Sequence, residues 1–599
     1  MALGNLGDIY LLSENYASAI SCFKEVLPLI QIEDTRNVIW QELIYALCLY
    51  NSPEYDIQIS KYNDEMRERI AKIIGTFSER EWDGYWTENS KNLVALNNLG
   101  LTHSDALGRI RAYENALYVK NMTLNASDVF NRIANSSNNL KIISAYKKLK
   151  SNQNKLVDKT VPADSLSVIK REIVEAQKYI ARNTNISEYL NKNMPNFSHI
   201  EETLANNECI VEFIFRPELI SIKEKKYHLR YGALCFRKGM EAPKYIDLCT
   251  EDDFISLIDS TDLKIYDRQN SKLFNMLWQP LENFLKKGDV IYYSMCGNLG
   301  NVNHSAISNG KQCIGEIYDM RLLSSTGKIP QLKASNNVYS NAVVYGGVNY
   351  EETINEIVAE SKGYNKRVSP ENLLAIRGEY MRDGWQPLPG TLKEAEAISS
   401  LLEDKKINVS FLKENKANEE SFKNLSGKSP DILHIATHGF YIEDINDSNG
   451  EYFKRTNGNT LRDEIMQRSG LLFSGANNSW KGNYPVNAED GILTSEELSR
   501  LDLSNTKLAI LSACKTGLGE TGFVDGVFGL QRGFKKAGVE TIIMSLWSVD
   551  DEITAEFMQH FYKFLLNGDC KQEAFKHATA IIKEEYQEAR YWASFVMLD

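Results

Sequence analysis

The sequence lacks the marks of several function classes. Cysteine is scarce, nine in 599 residues, and no two form a Cys-x-x-Cys pair, which excludes the common zinc ligand sets and a disulfide framework. The odd count and wide spacing suit reduced thiols and a cytoplasmic location. Met1 to Tyr10 carry no basic stretch and include Asp8, so no signal peptide is expected. No apolar run approaches the ~18 residues of a membrane span. Neither Gly-x-x-x-x-Gly-Lys-[Ser/Thr] nor His-Glu-x-x-His occurs, against a nucleotide-driven machine and a zinc peptidase. No loop has EF-hand spacing, and neither a cofactor nor a metal is expected. An excess of cations is missing too. Lys and Arg number 68 and Asp and Glu 80, a net charge of −12, so direct nucleic-acid binding is not expected.

What is there is an ordinary folded composition, 43% hydrophobic and 25% charged. Residues 1–160 read as helical, with Pro28 and Pro53 the only prolines. Gly7, Tyr10, Ala19 and Phe23 fall where a tetratricopeptide repeat places its small and large packing residues. One such repeat cannot bury its own apolar face, so neighbours are expected. The chain opens inside this pattern, which suggests a piece of a longer array. Farther on, Ile39, Leu43, Ala46 and Leu47 keep the helical period. Val161-Pro162-Ala163-Asp164 starts a connecting helix and linker, 161–204.

From 205 the pattern changes to short apolar runs at 209–214, 231–236 and 289–294, with helices predicted at 251–260 and 271–286. From 336 buried strands (341–347, 408–413, 431–437, 507–513 and 540–547) alternate with helices (391–403, 525–537, 551–566 and 571–586). This alternation predicts a mostly parallel sheet covered on both faces. We place one unit at 205–335 and another at 336–599. The long segment 441–488, rich in Asp, Asn and Gly, reads as a mobile flap beside a cleft.

Two strand ends carry potential chemistry. Leu433-His434-Ile435-Ala436-Thr437-His438-Gly439 and Leu511-Ser512-Ala513-Cys514-Lys515-Thr516-Gly517 each end an apolar run on a reactive side chain and a glycine-containing loop. Ligands of parallel sheets bind beyond the carboxyl ends of the strands. A histidine beside a thiol there is the minimum machinery for acyl transfer through a thioester.

These residues resemble the CHAT-domain family, related to caspases and separase. The matching blocks are His434 to Gly439, Ser512 to Gly519, Arg468 to Leu472, Glu489 to Thr494, Gly526 to Arg532, Ser545 to Asp551 and Arg590 to Phe595. The resemblance spans roughly 205–599, and CHAT domains often follow tetratricopeptide repeats. It implies an α/β caspase-like doubly wound sheet, with an inactive-like subdomain (205–335) and an active one (336–599), after an all-α repeat-like region.

The resemblance further implies a regulated cysteine endopeptidase with His438 as the catalytic histidine and Cys514 as the nucleophile. Backbone N–H groups of Gly439 and Cys514 would form the oxyanion hole. Asp551, two places after Val549, matches the acid that binds a basic residue ahead of the cut. Asp550, Asp525 and Glu520 are lesser candidates, and Trp547 would line the pocket or pack beneath it. Helix capping is the competing role for Asp550 and Asp551. Lys515 departs from the family, where Glu often follows the cysteine. His434 is expected to be a hydrogen-bonded core residue and Cys296 a structural one. The implied partners are a protein substrate and a protein activator or regulator on the helical region. The implied setting is bacterial defence or cell death. The alternative is a silent scaffold that binds without cutting; retention of both His438 and Cys514 weighs against it.

Overall fold

Helices fill the first third of the computed structural model, which describes residues 2–135, 137–156, 163–186, 188, 194–221, 226–335, 338–364, 384–442, 466–485, 488–513, 520–522, 526–548 and 550–599. The first pair, α1 (Ala2–Leu12) and α2 (Tyr16–Val26), closes on a glycine. A Cβ on Gly7 would lie 2.5 Å from the Phe23 ring, so only a residue without a side chain lets the helices meet. Asn15 caps α2 by accepting from the Ser18 N–H at 3.3 Å. The array continues through α3 (Glu33–Leu49), α4 (Glu54–Ile74), α5 (Glu79–Leu99), α6 (Ala106–Asn135), α7 (Leu140–Leu156) and α8 (Ala163–Arg182). Among the described residues, no helix is long and apolar enough to cross a membrane.

The rest is built on one sheet. Its strands are β1 (Glu208–Ser221), β2 (Lys226–Arg237), β3 (Lys244–Thr250), β4 (Val290–Ser294), β5 (Asp319–Leu322), β6 (Asn341–Val348), β7 (Asn408–Glu414) and β8 (Ile432–Ala436). Then come three short strands, β9 (Gly439–Tyr441), β10 (Ser469–Leu472) and β11 (Ile492–Thr494), which form a small antiparallel sheet of their own. β12 (Leu508–Ser512) returns to the main sheet, β13 (Glu520–Gly522) and β14 (Gly526–Phe528) pair antiparallel with each other, and β15 (Thr541–Ser545) and β16 (Phe595–Leu598) complete the main sheet. The eleven-stranded order is β3-β2-β1-β4-β5-β16-β15-β12-β8-β6-β7. β7, β6, β8, β12 and β15 run parallel. β16 lies antiparallel to β15 and touches β5 through Leu598 and Leu322, so the last strand joins the two halves.

Alternate residues serve opposite faces, as the period of two requires. On one face Ile432, Ile510 and Ile543 pack under α9 (Pro389–Asp404), α11 (Asp551–Leu566) and α12 (Lys571–Glu585). On the other, Leu433, Ile435, Ala509 and Leu511 pack against Phe473, Trp480 and Phe534, the last in α10 (Leu530–Lys536).

Three sequence expectations need correction. The predicted helix 271–286 stops at Leu277, because Pro280 lacks the N–H that would continue it and starts a 3₁₀ turn. The predicted helix 525–537 begins only at Leu530; Gly526–Phe528 are strand. The 441–488 segment, expected to be a mobile flap, packs into the fold over its described part, with β10 and Trp480 buried. Residues 443–465 lie outside the described residues.

The helical region is keyed into the sheet. Lys120 of α6 is buried and donates to Glu212 of β1 and, at 2.7 Å, to Ser294 of β4. Thr326 also donates to Glu212 at 2.6 Å, and Asn98 of α5 donates to the Phe215 carbonyl at 2.7 Å. An unpaired buried charge is costly, so Lys120 and Glu212 hold each other in place.

His304 is likewise buried and satisfied. Trp278 Nε1 donates to its Nδ1 at 3.1 Å, so Nε2 carries the proton and donates to the Leu299 carbonyl at 3.0 Å. Burial lowers its pKa to about 3, against the opposing pull of the Leu299 bond. The unfolded chain therefore binds a proton near pH 6.5 that the folded chain refuses until about 3. Stability is expected to fall across that window by about 1.4 kcal/mol per pH unit at most. Urea denaturation at pH 7, 6, 5 and 4 checks this, and His304→Asn should flatten the slope.

Candidate active site

The carboxyl ends of three neighbouring parallel strands, β15, β12 and β8, lie in a row. His438 comes two residues after β8, and Asp551 six residues after β15. The β8–β12 ladder ends with Ser512 opposite Ala436. Cys514 and His438 each follow two places later in sequence; Cys514 itself lies outside the described residues.

His438 is held on every side. Its N–H donates to Tyr350 Oη at 3.1 Å, and its carbonyl accepts from the Leu472 N–H at 3.0 Å. The ring lies between Tyr350 and Trp385, with centroids 5.0 and 4.9 Å away. Nε2 is 2.7 Å from the Gln386 carbonyl. A carbonyl only accepts, so Nε2 is the protonated nitrogen and Nδ1 of the neutral ring keeps its lone pair. Burial lowers the His438 pKa below its ordinary 6.5, and the Gln386 bond partly opposes that shift. A pKa below 6.5 leaves the ring mainly neutral at pH 7.

Gly439 opens β9 opposite Leu471. Because Leu472 donates to His438, the neighbouring Gly439–Leu471 pair is the non-hydrogen-bonded one, and the Gly439 N–H faces away from β10.

Asp550 and Asp551 separate cleanly. Asp550 is the N-cap of α11, its Oδ1 accepting from Glu552 N at 2.9 Å and Ile553 N at 3.4 Å. Asp551 is the first helical residue and half-buried. It has no hydrogen-bond or ion-pair partner among the described residues. Its pKa is raised, first by burial and then by the charges of Asp550 and Glu394. A carboxylate with no cation among the described residues stands beside the row of strand ends. Trp547 lies at the end of β15, its Nε1 donating to the Arg590 carbonyl at 2.9 Å and its ring 5.4 Å from that of Tyr266. Asp525 lies outside the described residues, and of Glu520 only the backbone, in β13, is described.

His434 and Cys296 are both buried. His434 faces Glu394 on α9 and Tyr562 on α11, while burial raises the Cys296 thiol pKa well above its ordinary value. Sequence reading missed Tyr350, Trp385, Gln386 and Glu394. The only local signal near them was Pro389-Gly390, a helix start that brings Glu394 under the sheet.

One buried group of acids resembles a cation site. Glu419, Glu489 and Glu497 gather their carboxylates within 4.8 Å of one another. Lys423 Nζ stands 2.6, 2.8 and 3.1 Å from them, so an ammonium takes the place a metal would occupy.

Comparison with known proteins adds a family. The model of the CHAT domain matches residues 267–598, more than half of the chain. Tetratricopeptide repeat protein 28 of Mus musculus is 29% identical over 109 residues, 18% of this chain but only 4% of that protein. The Homo sapiens counterpart is 28% identical over the same length, with the same coverage. Among solved structures, the Arg-specific cysteine proteinase gingipain R (RgpB) aligns over 58% of this chain and 74% of its own, at 9% identity and a TM-score of 0.30. The Saccharomyces cerevisiae separase–securin complex aligns over 100% of this chain and 47% of its own, at 8% identity and a TM-score of 0.36.

Proposed function

The chain belongs to the CHAT domain family, and from that premise we propose that it is a regulated cysteine endopeptidase that cuts a protein substrate after Arg or Lys. The order β15-β12-β8 carries the reading. It sets the strand that leads to Cys514 between the one that leads to His438 and the one that leads to Asp551. His438 Nδ1 takes the Cys514 proton as the sulfur attacks the scissile carbonyl carbon. The Gly439 and Cys514 N–H groups receive the negative charge that develops on the carbonyl oxygen. His438 then returns the proton to the leaving amine, and water hydrolyses the thioester. Asp551 receives the guanidinium or ammonium of the residue ahead of the cut.

The helical array serves as the seat of a protein activator or regulator, in the cytoplasm and in a bacterial defence or cell-death setting. The Lys120–Glu212 contact and the packing of α6 on α10 support this, because they tie the array to both halves of the sheet.

The test is cleavage of a fluorogenic peptide library that varies the residue ahead of the scissile bond. Cleavage after Arg and Lys is expected; cleavage with no basic preference refutes the pocket. Gly390 gives a second handle, since a Cβ there would lie 2.5 Å from Asp551 Cβ. Gly390→Ala is expected to displace Asp551 and raise KM for basic peptides several-fold, with little change for peptides lacking the basic residue.

A further inference from the structure

α9 buries against the sheet a face on which Ala395, Ile398 and Leu402 pack, with Thr391 and Ser399 as its neutral polar members. Glu394 lies among them, 1% exposed. A lone carboxylate there would be strongly disfavoured, so its neighbours explain its presence. Its Oε2 accepts from Ser512 Oγ at 2.9 Å. Its Oε1 stands 3.1 Å from His434 Nε2, an ion-pair distance without the alignment of a directed hydrogen bond. His434 Nδ1 in turn faces Tyr562 Oη of α11 at 3.4 Å. Ser512 and His434 are the polar residues of their strands on that face, beside Ile510 and Ile432. The next strand over adds a second hold, with Ser545 Oγ donating to the Ala513 carbonyl at 2.7 Å.

We propose that Glu394 is the positioning residue of the site: one buried carboxylate grips Ser512, two residues ahead of Cys514, and His434, four residues ahead of His438, and so sets both strand ends from one point. The inference rests on the dyad reading above. Glu394 touches neither reacting group and acts on them through the strands; its charge also reaches Asp551. An ångström of drift between two such ends costs about 10²-fold in rate. A hold that spans both strands explains why a charge is placed where an apolar side chain would fill the space.

The test labels Cys514 with an arginine acyloxymethyl ketone and reads the inactivation constant and the probe's binding constant separately. In Glu394→Gln, shape is kept and charge removed. The inactivation rate constant is expected to fall about 10- to 100-fold, with probe binding within about twofold and the thermal midpoint little changed. Ser512→Ala, which leaves the His434 contact intact, should lose rate in the same direction by less. The double variant should be no slower than Glu394→Gln alone, since both act through one hold. A folded Glu394→Gln labelled at the wild-type rate overturns the positioning role and leaves the dyad standing. So does a double variant whose loss is the product of the two single losses. Should Glu394→Gln fail to fold, Ser512→Ala labelled at the wild-type rate overturns it equally. A wild type that takes up no label at Cys514 refutes the dyad reading, and the positioning role falls with it.

Discussion

Cys514→Ala is expected to lower kcat about 10⁴- to 10⁶-fold, because a thioester cannot form without the sulfur and no other group takes over the attack. His438→Ala should fall nearly as far. The two changes together should cost little more than either alone, as is usual for residues that act as one unit. The environment of His438 adds a pH signature. Burial holds its pKa below 6.5, so the neutral base persists as the pH falls below that value. The acid limb of kcat/KM should therefore lie under pH 6.5, where protonation of His438 removes the base. Single-turnover kinetics from pH 4.5 to 8 read this directly. A limb at or above the ordinary histidine value contradicts the assignment of His438 as the base.

Asp551→Ala carries the second large expectation. Asp550 already caps α11, so a capping role does not explain Asp551. Its carboxylate is half-buried, without a cation among the described residues, and destabilised by Asp550 and Glu394. An arriving guanidinium relieves all three. Removing one partner of such a desolvated pair costs about 2–5 kcal/mol. Selectivity for Arg over a neutral residue of similar length should then fall about 10²- to 10³-fold. Stability should hardly change, since the loss of favourable helix-end charge, about 0.3–1 kcal/mol, is offset by the loss of a strained carboxylate. A helix-start role alone makes the opposite prediction, a lower thermal midpoint with selectivity intact. Measuring both in one variant separates the two.

Much of the fold around the candidate site was legible in the sequence, for a physical reason. Parallel strands buried on both faces read as continuous apolar runs, so 431–437 and 507–513 stood out within a residue or two of β8 and β12. The helix 551–566 was marked by its acidic start and matches α11. What stayed hidden depends on contacts far apart in the chain. β16 pairs with β15 and β5, and nothing local to Phe595–Leu598 announces the bridge between halves. Tyr350, Trp385 and Gln386 enclose His438 from loops 50 to 90 residues upstream. Glu394 carries no mark of its own in the sequence of the helix 391–403. Only the fold turns it inward onto Ser512 and His434. The paired strands β13 and β14 were read as loop and helix because short glycine-rich strands have no period to detect.

The most direct test of the central claim is peptide mapping by mass spectrometry of the intact protein after exposure to an arginine acyloxymethyl ketone and, separately, to its glutamate counterpart. The account predicts one adduct, on Cys514, with the arginine probe alone, and its loss in His438→Ala. Equal labelling by both probes, an adduct on another cysteine, or a Cys514 that stays unmodified would contradict it.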